Sequence, residues 1–250
     1  MLFDLTGRVA LVTGAGQNVG AGIARMLASQ GAAVAVNDIE PARAEATAAA
    51  ITAAGGRAVA VPFDVTSYEA VTAGVGHVAD GIGPVDILVN NAGNAGAVPI
   101  QLEPFAATDP ATWGAPIEVN LYGVLHCCHA VINGMRDRGW GRIITISSAA
   151  ATHGGNIGVA TYSAGKGGGI AFTRTLALEV AGTGVTANTI ALGVMSIPDE
   201  TLSAQLALRI PLRRTGTPED AGAACVWLAS SEASWVTAQT IEINGGLFAT

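Results

Sequence analysis

The fold is decided by residues 8–20, RVALVTGAGQNVG. Residues 8–12 predict a β-strand, and residues 19–30 predict a helix that ends at Gly31. Glycines between a strand and a helix allow a tight turn and bring backbone N–H groups to a pyrophosphate, which the helix N-terminus also attracts. The stretch therefore predicts a dinucleotide-binding turn with these contacts: Gly14, Gln17, Asn18, Val19 and Gly20.

The rest of the chain continues the same alternation of strands and helices. Short β-branched runs predict six further strands, at 33–37, 59–63, 86–90, 142–147, 186–190 and 239–243. Ala-rich stretches predict helices at 41–54, 67–80, 109–138, 161–180 and 218–230. This order is typical of parallel βαβ units. It predicts an α/β Rossmann fold, with a doubly wound seven-stranded parallel sheet and helices on both faces, in a single domain spanning residues 1–250.

Composition limits the possible partners. Half of the 250 residues are hydrophobic and only 12% are charged, which favours extra surface buried in an oligomer. The net charge of −7 argues against nucleic acid or an anionic membrane as partner. The sequence shows neither a transmembrane run nor a signal-peptide pattern, and its three cysteines form no C-x-x-C pair. A cytoplasmic protein with free thiols and no metal is expected, although His126 and His129 are spaced to bind one.

Asp38 follows the second predicted strand. A carboxylate there accepts hydrogen bonds from the ribose hydroxyls of a dinucleotide and repels a 2′-phosphate. Gln17 stands where an Arg could reach that phosphate. Asp38 therefore predicts NAD(H) in preference to NADP(H). The alternative is a carboxylate that caps the helix beginning at Pro41.

Two further strand ends face the same predicted crevice, because ligands of such sheets bind at the carboxyl ends of strands. Asp64 and Val65 follow the third strand and are expected beside the adenine. Asn90, Ala92 and Gly93 follow the fourth and are expected beside the cofactor ribose. Ordinary turn chemistry is the alternative explanation for both.

Lys166 is the only lysine in the chain, and it stands four residues after Tyr162. Residues i and i+4 share one face of a helix. An ammonium beside a phenol favours the phenolate and lowers the Tyr pKa toward neutrality, which suits a general base. The alternative is an exposed Tyr–Lys pair without chemistry.

Together with Asn120, Ser147-Ser148 and the closing Asn244-Gly245-Gly246, these motifs resemble the short-chain dehydrogenase/reductase family over the whole chain. The resemblance implies NAD(P)-dependent interconversion of a secondary alcohol and a ketone. It also implies a homotetramer, with a dimer as the alternative, built partly through the helices at 110–138 and 161–180. Gly165 and Gly167–Gly169 depart from the usual pattern, and they favour close packing of that helix, as at a subunit contact.

The resemblance also implies residue roles. Tyr162 is the general acid/base, and Lys166 lowers its pKa and holds the nicotinamide ribose. Ser148 hydrogen-bonds the substrate oxygen. Asn120 binds a water that links Lys166 to solvent. Gly193 and Met195 are expected beside the nicotinamide.

Residues 195–209 are where the family places a substrate lid, which is short in this chain. Substrate contacts are predicted for Ser148, Tyr162, Asn94, His153, Ile157 and Leu192, with Ala149, Ser196, Ile197, Leu202 and Leu206 completing an apolar pocket. The set contains no Arg or Lys, which disfavours a carboxylate or phosphate substrate. We expect a neutral, cyclic or aryl-alkyl secondary alcohol or ketone.

Two alternatives remain. One is an NADPH-dependent reductase of carrier-bound 3-ketoacyl groups, against which Asp38 speaks. The other is a non-catalytic NAD-binding sensor or scaffold, which the complete Ser148, Tyr162, Lys166 and Asn120 set disfavours.

Overall fold

A computed structural model describes residues 2–93, 102–155 and 158–249. Within them, seven parallel strands form one sheet in the order β3-β2-β1-β4-β5-β6-β7. The strands are β1 (Val9–Val12), β2 (Ala33–Val36), β3 (Arg57–Ala60), β4 (Ile87–Asn90), β5 (Gly141–Ser148), β6 (Val185–Leu192) and β7 (Thr240–Ile243). The order reverses between β1 and β4, which opens a crevice at their carboxyl ends. The predicted fold class is confirmed; that residues 1–250 form a single domain stays a prediction.

Helices cover both faces of this sheet. They are α1 (Asn18–Ser29), α2 (Pro41–Ala53), α3 (Tyr68–Gly81), α4 (Gly114–Ile117), α5 (Gly123–Asp137), α6 (Ala149–Thr152), α7 (Ala160–Glu179), α8 (Glu200–Ala207) and α9 (Pro218–Ala229). Helices α1, α2 and α9 enclose one hydrophobic core, and α3, α5 and α7 enclose the other. In the part of the chain that is described, none of these helices combines the length and apolar character needed to cross a bilayer.

Each core contains free cysteine. Cys225 of α9 lies in the first core, and Cys127 and Cys128 of α5 lie in the second. All three side chains are buried, and burial raises the pKa of each thiol. The thiols are therefore shielded and unreactive while the chain is folded.

The third strand differs from its prediction at 59–63, because it spans Arg57–Ala60. Val61 still donates its N–H to Val36 O at 2.9 Å. Pro62 has no N–H to donate, so the ladder ends there. Val61 and Phe63 are buried in the core beside the sheet, whereas Pro62 is exposed.

The helix predicted at 109–138 is also different, because it is broken into shorter pieces. A 3₁₀ turn at Pro110–Thr112 precedes α4, and a π-helical turn at Glu118–Tyr122 separates α4 from α5. Pro116 has no N–H to donate to the carbonyl of Thr112. Asn120 Nδ2 donates to Pro116 O at 2.8 Å, and so competes for the carbonyl to which a regular helix directs the backbone N–H of Asn120. The break widens the helix at Asn120, a residue predicted for catalysis.

Glycines in α7 let it pack closely on this break. A Cβ on Gly165 would lie 2.9 Å from both Asn120 Cβ and Pro116 O. Gly168 comes similarly close to Leu121, whereas no described atom lies within 4 Å of a Cβ built on Gly167. The expected close packing is therefore found inside the chain for Gly165 and Gly168, and a subunit contact of α7 stays a prediction.

Candidate active site

A cavity of about 680 Å³ opens at the carboxyl ends of the strands. It extends from the turn after β1, past the ends of β2 and β3, to Tyr162 and Lys166 of α7. Most of the predicted site residues line it: Gly14, Gln17, Asn18, Val19, Gly20, Asp38, Asp64, Val65, Ala92, Gly93, Ser148, Tyr162, Lys166, Leu192, Gly193 and Met195. The sheet topology therefore brings together residues that are far apart in sequence.

The turn after β1 is held by backbone contacts. A Cβ on Gly14 would lie 2.8 Å from Ala92 Cα, and a Cβ on Gly20 would overlap Gly14 O. Asn91 Nδ2 donates to Thr13 O at 2.9 Å and to Gly14 O at 3.0 Å. Asn18 takes a left-handed backbone with φ 47°, which Asn tolerates better than most residues.

The residues at this turn fit a dinucleotide pyrophosphate. The N-cap of α1 is Gln17, and its side chain makes no capping hydrogen bond. The first N–H groups of α1 therefore point into the cavity without a side-chain acceptor from the N-cap. Such a helix N-terminus, with no Cβ on the flanking glycines, attracts phosphate oxygens.

Asp38 lies at the other end of this half of the cavity and is only 5% exposed. Its Oδ2 accepts from Gly16 N at 3.1 Å, and its Oδ1 accepts from Glu40 N at 3.0 Å. Glu40 is the N-cap of α2. Asp38 therefore also supports the start of that helix, as the alternative reading of this carboxylate expected. Each carboxylate oxygen keeps a further lone pair, so Asp38 can still accept from ribose hydroxyls.

The charge of the cavity is negative among the described residues that line it. Three carboxylates, of Asp38, Asp64 and Glu118, face one ammonium, that of Lys166. Asp64 Oδ1 accepts from both the N–H and the hydroxyl of Thr66 at 2.8 Å, which is the turn chemistry considered for this strand end. This balance of charge disfavours anionic groups in the cavity except at Lys166 and at the N-terminus of α1, where backbone N–H groups attract phosphate.

Ser148, at the end of β5, and Tyr162, in α7, meet in the cavity. Burial is the largest influence on Tyr162 and raises its pKa, whereas a hydrogen bond with Ser148 lowers it. Lys166 Nζ lies 6.0 Å from the Tyr162 ring centroid and donates to Ile146 O at 2.8 Å. Burial thus outweighs the hydrogen bond at Tyr162, and the lowering of its pKa by Lys166 stays a prediction.

Lys166 is itself deeply buried, with 6% of its surface exposed. Burial lowers its pKa from 10.5 to about 8, because an ammonium loses its hydration there. Lys166 therefore changes protonation close to neutral pH, unlike an exposed lysine.

The two adjacent serines have different partners. Ser147 Oγ is buried and donates to Lys166 O at 3.2 Å, which ties α7 to the sheet. Ser148 is the N-cap of α6, its Oγ accepts from Ala150 N at 3.2 Å, and it hydrogen-bonds Tyr162. The geometry thus favours Ser148 over Ser147 as the serine that acts on substrate.

Lys166 and Asn120 meet over Gly93. A Cβ on Gly93 would lie 2.7 Å from Lys166 Nζ and 2.9 Å from Asn120 Oδ1. Asn120 is buried one layer behind the cavity lining. Asn90 is also buried behind the lining, and its Nδ2 donates to Cys128 Sγ at 3.3 Å. The predicted cofactor contact of Asn90 is therefore indirect in this structure.

Comparison with known families decides the family. The model of the family described as short chain dehydrogenase matches residues 8–204. This chain belongs to the short-chain dehydrogenase family. The enzyme is thus an oxidoreductase of a family that uses a nicotinamide cofactor.

Relatives of this short-chain dehydrogenase include reductases of acyl thioesters. An acetoacetyl-CoA reductase of Shinella zoogloeoides is 40% identical, over 96% of this chain and 98% of the relative. A 3-oxoacyl-(acyl-carrier-protein) reductase of Vibrio cholerae is 38% identical, over 98% of this chain and 99% of the relative. A gluconate 5-dehydrogenase from Burkholderia cenocepacia, solved in complex with NADP and tartrate, superposes with a TM-score of 0.89 at 34% identity, covering 98% of this chain and 96% of that one.

The substrate side of this short-chain dehydrogenase is less completely described. Leu192, Ser196 and Ile197 line the cavity, whereas Ala149, Leu202 and Leu206 do not. Asn94 and Ile157 lie outside the described residues. His153, predicted to contact substrate, is absent from the lining; its ring instead contacts Glu242 and Phe248.

Sequence reasoning missed Ala115, Glu118 and Val119, which line the cavity. They belong to the segment predicted as one uninterrupted helix, and the break after Pro116 brings them to the crevice. A proline two residues before Glu118 was the available signal.

His126 and His129, whose spacing would also suit a metal, both pack against Tyr68 of α3. Tyr68 Oη lies 2.7 Å from His129 Nδ1. Both histidines thus have a role in helix packing.

Proposed function

We propose that this short-chain dehydrogenase reduces the ketone of a 3-oxoacyl thioester to the 3-hydroxyacyl thioester, and reverses that reaction, with NAD(H) as cofactor. The observation that carries the proposal is the meeting of Ser148, Tyr162 and Lys166 in a cavity that also contains Asp38. The acetoacetyl-CoA and 3-oxoacyl reductases among the relatives support the thioester. These relatives favour a thioester substrate over the cyclic or aryl-alkyl substrate expected from the sequence.

The reacting end of such a substrate fits the charge of the cavity. A 3-oxoacyl group is neutral, and no Arg lines the described cavity to bind an anion there. The anionic part of a coenzyme A or carrier group would remain outside. The same reasoning disfavours a substrate whose reacting end is itself a carboxylate.

The residues of this chain divide the work of the reaction. A nicotinamide cofactor, when bound on the turn after β1, supplies the hydride. Tyr162 gives its proton to the ketone oxygen, and Ser148 donates a hydrogen bond to the same oxygen as charge develops. Burial raises the Tyr162 pKa, so the phenol keeps the proton that reduction needs.

Lys166 and Asn120 restore that proton. Lys166 is buried behind Tyr162, and its pKa of about 8 lets it exchange a proton near neutral pH. Its ammonium and Asn120 Oδ1 both approach Gly93, so the two side chains lie on one path. We propose that this path connects Tyr162 to solvent through a water at Asn120.

NAD(H) is proposed over NADP(H) because of Asp38. A 2′-phosphate beside a buried carboxylate adds like-charge repulsion. The gluconate 5-dehydrogenase from Burkholderia cenocepacia contains NADP, so the preference rests on this chain's own residue. NADPH as cofactor is the alternative outcome of the test below.

A homotetramer in the cytoplasm is also part of the proposal. The helical region 110–138 and α7, through which the family resemblance places subunit contacts, expose apolar side chains, notably Tyr122 at 47% and Leu178 at 67%. An exposed apolar side chain of this size suits burial against a second copy. Free thiols favour a reducing compartment such as the cytoplasm.

The test measures the loss of NADH and NADPH absorbance with acetoacetyl-CoA, and with neutral cyclic and aryl ketones. We expect acetoacetyl-CoA to give the highest kcat/KM, and NADH to exceed NADPH by about 10-fold or more. Tyr162→Phe should lower kcat by about 10²- to 10⁴-fold, while fluorescence titration still detects NADH binding. Asp38→Asn should reduce the preference for NADH, and Glu40→Gln, which removes the same charge from an exposed neighbour, should not.

Each other outcome identifies a different error. A ketone preferred over the thioester makes the substrate wrong, and NADPH preferred over NADH makes the cofactor wrong. The non-catalytic sensor is ruled out by the relatives, which are oxidoreductases, so turnover of none of these ketones means that the substrate belongs to another class.

A further inference from the structure

A cluster behind Ser148 joins two distant parts of the chain. His153 Nε2 lies 3.4 Å from Glu242 Oε1, and their side chains are only 20% and 15% exposed. The His153 ring also stacks on the ring of Phe248, with the centroids 4.4 Å apart and an interplanar angle of 12°. The imidazole is thus held by one contact with a carboxylate and one stacking contact, and it does not line the cavity.

His153 and Ser148 lie at the two ends of the same short helix, α6. Ser148 is its N-cap, with Oγ accepting from Ala150 N, and His153 is its C-cap, with N donating to Ala149 O at 2.9 Å. A helix of four residues is unstable alone, because its nucleation is not compensated by propagation. The orientation of α6 therefore depends on tertiary contacts, which are those of the buried Ala149 and those made at its ends.

The contacts of His153 lead to a rigid part of the fold. Glu242 lies in β7, where it pairs with Ala191 of β6. Asn244 Nδ2 donates to Phe248 O at 3.1 Å and lies 3.5 Å from Glu242 Oε2. The two residues that hold His153 are therefore fixed to the sheet and to each other.

We propose that His153 is a positioning residue, which holds α6 through Glu242 and Phe248 and so keeps the Ser148 hydroxyl directed at Tyr162 and the reacting oxygen. The inference rests on the proposed function for its consequence in turnover. In this role His153 affects catalysis through Ser148, and not through the substrate contact predicted from the sequence. The hydrogen bond between Ser148 and Tyr162 is the contact through which it acts.

The first test does not require activity. In protein labelled with ¹³C at the tyrosine Cζ, the Tyr162 resonance is identified by its loss in Tyr162→Phe, and its shift reports the hydrogen bond of the phenol. We expect His153→Ala to move this resonance toward its position in Ser148→Ala. His77→Ala, which removes an exposed histidine from α3, should leave it unchanged. A Tyr162 resonance that does not move in His153→Ala overturns the proposal, even if the proposed substrate is wrong.

The second test uses turnover of the thioester. His153→Ala should lower kcat by about 10-fold, with KM and the Kd of NADH changed less than about twofold. The pH at which 3-hydroxyacyl oxidation reaches half of its maximum should rise, because the Ser148 hydrogen bond lowers the Tyr162 pKa. The charged lining residues, Lys166, Glu118, Asp64 and Asp38, are unchanged in this variant. His153→Gln, which keeps a donor for Glu242, should restore most of kcat.

Two further variants separate positioning from other roles. Added to Ser148→Ala, His153→Ala should have almost no additional effect on kcat, because the two changes remove one interaction. If His153→Ala instead raises KM alone, His153 contacts substrate and the proposal is overturned. If that variant does not fold, kcat and KM are compared in the same way for His153→Gln and Glu242→Gln, which keep a similar side-chain volume.

Discussion

The two halves of the active site are held in place by different means. On the cofactor side, the turn after β1 is fixed by backbone contacts, since a Cβ on Gly20 would overlap Gly14 O and one on Gly14 would meet Ala92. On the substrate side, α6 and α8 are short helices that depend on side chains at their ends, His153 and Asp199. No residue of α8 is buried. The cofactor half is thus held by close backbone contacts, and the substrate half by a few side-chain contacts.

This difference determines how each half should respond to substitution. A change on the cofactor side meets backbone atoms that cannot move, so binding should fail sharply. A change on the substrate side releases a short element, so catalysis or KM should change gradually while the dinucleotide still binds. Lys166, which belongs to both halves, should give the largest effect.

Lys166→Met should lower kcat by about 100-fold or more and raise the free energy of unfolding at pH 7 by about 1–3 kcal/mol. Burial lowers the Lys166 pKa from 10.5 to about 8, so the folded chain holds this charge at a cost that Met does not have. Loss of the hydrogen bond to Ile146 O offsets part of the gain.

The stability difference has a defined pH dependence. Between pH 8 and 10.5 the unfolded chain keeps the Lys166 proton and the folded chain does not, so the wild type gains stability as pH rises. The advantage of Lys166→Met should therefore be greatest below pH 8 and shrink toward pH 10. Urea unfolding of both proteins across this range measures it. An advantage that is constant with pH would contradict burial of the Lys166 charge as its cause.

Gly20→Ala should weaken NADH binding by about 10- to 100-fold, because the added methyl overlaps Gly14 O and Asn91 Nδ2 in a turn that cannot widen. Fluorescence titration with NADH measures the change. Gly76→Ala is the matched control, since no described atom lies within 4 Å of its new methyl, and it should stabilise α3 by about 0.5–1 kcal/mol without affecting NADH. Equal affinity in Gly20→Ala and the wild type would show that this turn is not held by its backbone.

Asp199→Ala should have the smallest effect, raising the KM for the thioester about fivefold. Asp199 caps α8 by accepting from Leu202 N at 2.9 Å, and loss of a cap costs about 1 kcal/mol. The Kd of NADH should not change. Asp199→Asn, which retains the cap, and Glu200→Gln, which removes a charge from the same helix, should both behave as wild type; an equal rise in all three would assign the effect to charge.

The fold was predictable because its signals are local. Strand β1, the glycine turn and α1 follow from one continuous stretch, and the alternation of apolar runs predicts the parallel sheet that the structure contains. The errors lie where one residue interrupts a pattern. Pro62 ended β3 early, and Pro116 with Asn120 broke the helix predicted at 109–138, although both regions carry the expected apolar residues.

The site was predictable to the extent that topology alone assembles it. Asp38, Ser148, Tyr162 and Lys166 all reach the cavity because each stands at the end of a strand or on the helix beside it. Glu118 was not predicted, because its position depends on a break in the helix. The partners of His153 were not predictable either, since no pattern near residue 153 indicates Glu242 or Phe248.

The buried cysteines give each face of the sheet its own chemical reporter. Cys225 lies in the core under α9, and Cys127 and Cys128 lie in the core under α5. A thiol reagent modifies any of them only when the covering helix separates from the sheet. Mass spectrometry of peptides from partly labelled protein would then rank the two faces by how often each opens, without any substitution in the chain.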